Sequence, residues 1–493
     1  MRMNLNICGL LLAGSSLVQG QAAPVVAGTD KDIPLSKVEH KNRAPVSKDI
    51  LHVKLPKPVE AKLENGATIL ILEDHRLPTI SVQLLIQGAG GLFDVDDRAG
   101  LASTVAAMMK EGTTTLNSRQ VSEGIDDLGA TLFFTAGFGT ADAVVSASGL
   151  SENFDQWFAL MINTLQTANF PDGELQKLKQ RQITGLKQQR AQSSFLANEM
   201  FRKAVYGKHP ASIVTATAAS LQAMTSDELK AWRDQRYVPQ NAILAIAGDV
   251  NAKTLIPKLN RMTATWKKTD YRAVTPPAPK AAEGRRVYLI DRPNSVQTNL
   301  VLGNLAIDRA NPDFIALTVL NRILGGGAAS RLFTNLREEK SYTYGAYSRF
   351  QASELVGPFS ASSEVRTAVT DGAMTEFLKE LNRIRDEKVP AAELEQAQHS
   401  LVSAFALSLE QPSEVLSYET TRKRFGLPEN YWDTYPARIA AVTADDIERV
   451  AKKYIIPANL QIVAVGDASK IKTVMEKYGP VTVYNSDGMP VAQ

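Results

Sequence analysis

The sequence predicts an α+β protein built from two homologous α/β halves, and three observations lead there. Strand, strand, helix, strands, long helices and a closing strand follow one another twice, in the same order. Between the two runs lies TPPAPKAAEG, residues 275–284, whose prolines and lack of periodicity mark a linker. The segment from Met224 also overlays the segment from Val442. Thr225 and Thr443, Leu229 and Ile447, Pro239 and Pro457, Asn241 and Asn459, and Gly248-Asp249 and Gly466-Asp467 all stand 218 positions apart. That period is too long for a solenoid and marks a duplicated unit.

The elements follow in order. Residues 1–22 read as a secretory signal peptide: Arg2, an apolar run from Ile7 to Val18, and a small-x-small cleavage site ending at Ala22. The apolar run is too short to anchor in a bilayer, so no integral membrane segment is expected after cleavage. Residues 23–50 form an extended leader. The N-terminal half spans 51–270. It opens with two strands separated by a turn through Pro78, then a helix in RAGLASTVAAMMKEG. A second helix starts at Ser118 and stops at Gly129, and the strands ATLFFTA and DAVVSASG follow. Helices dominate from about Glu152 to Arg236, and AILAIAGDV closes the half as a strand. The linker covers 271–284, the C-terminal half 285–480 and a tail 481–493. In the C-terminal half RRVYLID and QTNLVLG are strands and 312–324 is a helix. A further helix in SRLFTNLREEK has Ser330 as its candidate cap and Leu332, Phe333 and Leu336 on one face.

Composition narrows the function. With 55 Lys and Arg against 52 Asp and Glu the net charge is +3, and nothing in the chain suggests a nucleic-acid partner. Five His and one Cys leave little material for a thiolate zinc site, a disulfide framework or a thiol nucleophile. The single Cys8 lies inside the signal segment, so the exported chain, most simply a periplasmic one, would have none.

The stretch NGATILILEDHRLPTISVQLLIQGAGGLFDVDDRAGLA closely resembles the opening of the pitrilysin/insulinase/mitochondrial processing peptidase family. So do LGGGAASRLFTNLREEKSYTYG, residues 324–345, and the two strand endings. The resemblance covers roughly residues 50–475 and implies mixed sheets covered by helices. The two halves would pack like a clam shell around a chamber for unfolded peptides. Active members are zinc peptidases with the inverted motif H-x-x-E-H on the first helix. Two His four apart share one face and bind Zn²⁺, the Glu takes a proton from the metal-bound water, and a Glu from a later helix completes the site.

This chain departs from that pattern at each position. Ser103 stands where the first His belongs, and Ala106 and Ala107 where the Glu and second His belong. No His occurs between His75 and His209, and no Asp or Glu between Glu174 and Glu199. Lys177, Lys179, Arg181, Lys187 and Arg190 fill the later helix instead, read as a cation cluster that repels Zn²⁺. His40, His52, His75, His209 and His399 lack ligand spacing and read as exposed or turn residues. No metal is expected in this chain.

The second stretch keeps other parts. By spacing alone, Arg337 would pair with Glu338 or Glu339, and Tyr344 would pack as a strand residue. The resemblance implies that Arg337 and Tyr344, seven apart, reach the substrate beside the zinc and assist the transition state. Gly325, Gly326 and Gly327 read as a helix stop and close-approach turn. The resemblance adds a substrate-capturing, glycine-rich loop at this location. The function implied is the non-metal subunit of a heteromeric zinc metallopeptidase acting on unfolded peptides. Arg337 and Tyr344 would act in trans, and zinc would sit in the partner, a homologous exported chain with intact H-x-x-E-H. The alternative is a peptide-holding chaperone or scaffold without chemistry.

Overall fold

A computed structural model describes residues 53–491, apart from Asp96 and Arg272. The expected signal peptide and the leader lie outside these residues. The first half runs β1 (Val59–Lys62), β2 (Thr68–Glu73), β3 (Thr79–Gln87), α1 (Leu101–Met108), α2 (Ser118–Asp127), β4 (Thr131–Ala136) and β5 (Asp142–Leu150). It continues with α3 (Phe154–Thr167), α4 (Asp172–Arg190), α5 (Ser193–Tyr206), α6 (Ala218–Ala223), α7 (Ser226–Arg236), β6 (Ala242–Gly248) and α8 (Ala252–Met262). The second half runs β7 (Arg286–Asp291), β8 (Gln297–Ile307), α9 (Phe314–Leu324), α10 (Arg331–Phe333), β9 (Thr343–Phe350) and β10 (Gly357–Arg366). It ends with α11 (Thr370–Asp386), α12 (Ala391–Ser408), α13 (Pro412–Arg424), α14 (Tyr435–Ala440), α15 (Ala444–Tyr454), β11 (Gln461–Gly466), α16 (Ala468–Glu476) and β12 (Val481–Tyr484).

Each half is a six-stranded mixed sheet, ordered β1-β2-β6-β3-β5-β4 and β12-β7-β11-β8-β10-β9. Five strands correspond one to one. The returning strands β6 and β11 sit at equivalent places, parallel to β2 or β7 and antiparallel to β3 or β8. Both are buried along their whole length, which explains their continuous apolar sequences AILAIAG and QIVAVG. The sixth strand differs. The first sheet takes β1, antiparallel, from before the repeat, and the second takes β12, parallel, from after it. Residues 481–484, assigned to the tail from sequence, are therefore part of the sheet.

The repeated residues have local causes. Thr225 and Thr443 each cap a helix, and Glu228 and Asp446 reach back to close a capping box. Each cap contributes about 1 kcal/mol. Gly248 has φ +133°, and a Cβ there would stand 2.1 Å from the Thr79 carbonyl, so only glycine closes this strand against β3.

The halves exchange helices. The apolar stripe of α5 (Leu196, Ala197, Met200, Phe201, Val205) packs across the second sheet against Ile290, Val463 and Val465. The helix at the matching place in the second half, α13, lies on β2 and β6 of the first sheet. Its Val415 and Leu416 share one core with Leu70, Leu72, Ile243 and Ala245. Charge pairs fix the exchange: Arg422 and Lys423 of α13 hold Glu60 of β1, and Arg424 holds Asp142 of β5.

Within the second half, Asp313 at the start of α9 joins Arg449, Lys453 and Tyr454 of α15 at 2.8, 2.9 and 2.8 Å. Burial opposes its ionisation, yet these hydrogen bonds hold its carboxyl down at about 2. We expect Asp313→Ala to lower stability by about 2 kcal/mol or more, because three donors lose a shared acceptor. A depressed carboxyl stabilises the fold above its unfolded pKa and stops doing so as the folded group protonates. The gap between wild type and variant in urea unfolding should therefore narrow as pH falls from 3.8 toward about 2.

Candidate functional site

The first helix begins at Gly100, φ +92°, where the Asp94 carboxylate accepts the N–H groups of Gly100 at 2.6 Å and Ala102 at 2.9 Å. Burial pushes Asp94 up to about 6 against the pull of those donors. On α1 the Ser103 hydroxyl donates back to the Gly100 carbonyl at 2.9 Å, Ala106 is buried, and Ala107 is exposed. Zinc does not fit this helix. Its motif positions offer one hydroxyl already committed to the backbone and two methyl groups. Among the described residues no three His, Cys, Asp or Glu side chains come together as a ligand group.

The later helix is not the cation cluster that its sequence suggests. Buried Lys179 donates to the carbonyls of Gln222 and Met224 at 3.1 and 2.6 Å, while Lys177 pairs with Glu174 and Arg190 with Glu199. At 3.6 residues per turn these charges point to different sides. Leu175, Leu178, Ile183 and Leu186 supply the apolar stripe that packs into the core of the first half. Of the described histidines, His75 meets Asp249 at 2.7 Å, His209 meets the Pro277 carbonyl at 2.8 Å, and His399 meets Glu395 at 3.7 Å.

Arg337 and Tyr344 line one open groove of about 1030 Å³ beside the edge of the second sheet, with Val296, Glu364, Arg366 and Lys470. Three local irregularities bring them there. The helix in SRLFTNLREEK is α only over Arg331–Phe333, and residues Thr334–Glu339 form a π-helix carrying Arg337. Such wide turns are frequent at functional sites. Ser330 precedes it without capping it, because its hydroxyl donates to the Gly327 carbonyl at 2.6 Å. Ser341 then adopts φ +52°, turning the chain from the π-helix into β9.

The β9 register also shifts beside Tyr344, between Ser363 and Val365 of β10. Side chains hold that bulge: Thr343 Oγ1 donates to the Glu364 carbonyl at 2.7 Å, and Ser363 Oγ donates to Thr343 Oγ1 at 2.9 Å. Bulges of this kind re-aim a side chain. Tyr344 is 90% exposed. Arg337 stacks on Phe333, 4.7 Å from the ring centre, with Glu338 at 3.3 Å. The pairing with Glu338 is the contact that spacing suggested, and it leaves the guanidinium half exposed to the groove. The sequence singled out neither the π-helix nor Arg366, whose side chain donates to the Ser341 carbonyl at 3.2 Å and props the turn.

Gly325–Gly327 are not among the residues that line this groove. They form a packed turn. A Cβ on Gly325 would stand 2.2 Å from the Ser348 backbone nitrogen, and one on Gly326 would stand 2.9 Å from the Arg322 Cα. Their three carbonyls accept from Ser348 N–H, the Arg322 guanidinium and the Ser330 hydroxyl.

Residues 68–218 match the family model described as insulinase (peptidase family M16), and residues 223–401 match peptidase M16 inactive domain. The chain belongs to peptidase family M16. Among similar proteins is an uncharacterized zinc protease of Rickettsia felis, 25% identical over 66% of this chain and 80% of that protein. The non-peptidase homolog YmxG of Helicobacter pylori is 21% identical over 82% of this chain and 93% of that protein. Among solved structures, the peptidase M16 inactive domain from Pseudomonas fluorescens superposes with a TM-score of 0.77 at 25% identity. That match covers 83% of this chain and 98% of the other.

Two outcomes follow from these geometries. The purified chain should carry no stoichiometric zinc by elemental analysis; one tightly held zinc per chain would contradict the reading of α1. Gly325→Ala should destabilise the fold by about 1–3 kcal/mol in denaturant titration, because its methyl group meets backbone rather than a movable side chain.

Proposed function

We propose that this chain is the metal-free subunit of a heteromeric M16 zinc endopeptidase. Its partner would be a homologous exported chain with an intact H-x-x-E-H, which brings the zinc. The observation that carries this reading is a division of labour. The metal-ligand positions of α1 are filled by small side chains, while Arg337 and Tyr344 face one open groove. Arg337 offers forked donors to a bound peptide carbonyl, and the Tyr344 hydroxyl donates to the same oxygen as it gathers negative charge. The substrate is an unfolded peptide, held by strand addition. Tyr344 lies near the start of edge strand β9, which among the described residues has one unpaired side and suits that mode.

We place the protein in the periplasm on the signal sequence at 1–22. Among the described residues no helix is long and apolar enough to cross a membrane. The relative described as a non-peptidase homolog agrees with a chain that does not cleave peptides alone.

The test is reconstitution. Hydrolysis of an unstructured peptide should appear only when both chains are mixed. Full activity of the partner alone would favour a chaperone or scaffold role for this chain. In the reconstituted pair, Tyr344→Phe should lower kcat by about 10-fold to 10³-fold with little change in KM. Arg337→Ala should raise KM as well, since its contact exists in the ground state. Complex mass and zinc content should stay unchanged in both variants. Unaltered kinetics in both would make these residues structural.

A further inference from the structure

Among the described residues the second half holds a largely buried arginine without an anion partner. Arg309, at the turn between β8 and α9, is only 7% exposed. Its guanidinium lies over the ring of Phe314 at 4.0 Å, with the rings of Tyr431, Phe425 and Trp432 at 5.2, 5.9 and 6.0 Å. Among the described residues it meets no carboxylate within ion-pair distance, and its side chain donates no hydrogen bond. Its backbone N–H alone is engaged, by the Ser353 carbonyl at 2.8 Å. The acids beside these residues in sequence do not pair with it. Asp313 holds Arg449 and Lys453, Asp308 accepts the Ala310 N–H, and Asp433 accepts the Leu55 N–H.

A guanidinium stays charged at any physiological pH, so burial without a counter-charge is costly. Cation–π contacts recover part of that cost. The remainder asks for an anion, and there is room for one. Arg309 lines a pocket of about 330 Å³ together with Arg438, Asn311, Asn430 and Thr434. Arg438 lies against Tyr431, 4.8 Å from the ring centre, and likewise has no carboxylate partner among the described residues. Two arginines and two amides around one cavity form a donor set without a matching acceptor, whereas the Thr434 hydroxyl already donates to the Asn430 carbonyl.

We propose that this pocket binds a small oxyanion, a carboxylate or phosphate group, held by Arg309 and Arg438. The site is separate from the Arg337 groove. Arg309 follows the end of β8 at Ile307, whereas the groove takes in Gln297 at its start. The length of that strand, roughly 3.3 Å per residue, lies between them. The aromatic walls suit an anion carried on a compact apolar body, while the paired forks fix its oxygens.

Calorimetric titration of the full chain with inorganic phosphate and, separately, with acetate tests this, using chloride at matched ionic strength as the reference. Saturable binding of at least one anion is expected, and the arm that saturates identifies phosphate or carboxylate chemistry. Arg438→Gln should weaken that binding by about 10-fold or more, since one charge-assisted contact is lost. Its thermal unfolding in chloride should shift only slightly, because half-buried Arg438 loses one contact with the Tyr431 ring and, among the described residues, no ion pair. Arg309→Lys, which keeps the charge but not the fork, should weaken binding too. If that variant fails to fold, Arg438→Gln decides alone. No saturable heat with either anion, or an unaltered dissociation constant in Arg438→Gln, would overturn the proposal.

Discussion

Neither sheet of this protein is covered by its own half alone. The exchange of α5 and α13 supplies the missing cover, and the rest of the architecture depends on it. Each helix brings an apolar stripe to a sheet made from the other repeat, so folding one half leaves a water-exposed apolar face until the other arrives. The charges at the end of α13 add direction to what hydrophobic burial leaves undirected. Arg422, Lys423 and Arg424 meet acids on β1 and β5, and the helix can sit in only one register.

That exchange also places the groove. β9 is the outer strand of the second sheet, and the sheet's position is set by α5 from the first half. Arg337 and Tyr344 therefore stand on a rigid platform, although the segment joining them is irregular. The π-helix, the left-handed Ser341 and the bulge beside Tyr344 occur within a few residues of one another. Concentrated irregularity of this kind has to be held by its surroundings, here by Thr343, Ser363 and Arg366.

The duplicated architecture was legible because its markers are local. A capping threonine, a proline opening a 3₁₀ turn and a strand buried on both faces recur at the same offset. The loss of zinc ligands was legible because residue types alone decide it. Other features were hidden for physical reasons. The spacing of Leu332, Phe333 and Leu336 suits one face of an α-helix and does not reveal that the chain widens into a π-turn at Thr334. The stripe on α5 shows that one face is buried, not which sheet buries it. The cations of α4 are neighbours in sequence and strangers in space. Arg309 escaped notice because three of its four aromatic neighbours, Phe425, Tyr431 and Trp432, come from a segment more than a hundred residues later.

The two sheets finish at opposite ends of the chain, and this decides where a foreign strand can join. At the β12 border the chain folds back, with Val491 bonding Val483 and Pro490 opposite Tyr484, so that border is already occupied by a proline-bearing return. At the other, β1 carries Glu60 and Lys62, and Glu60 is clamped by α13. The termini of the folded unit thus act as stoppers. Among the described residues, what stays open is β4, TLFFTA, and β9, TYGAYSRF, strands with one charge between them. Within the described residues each sheet grows from one side only, leaving an added chain two berths rather than four.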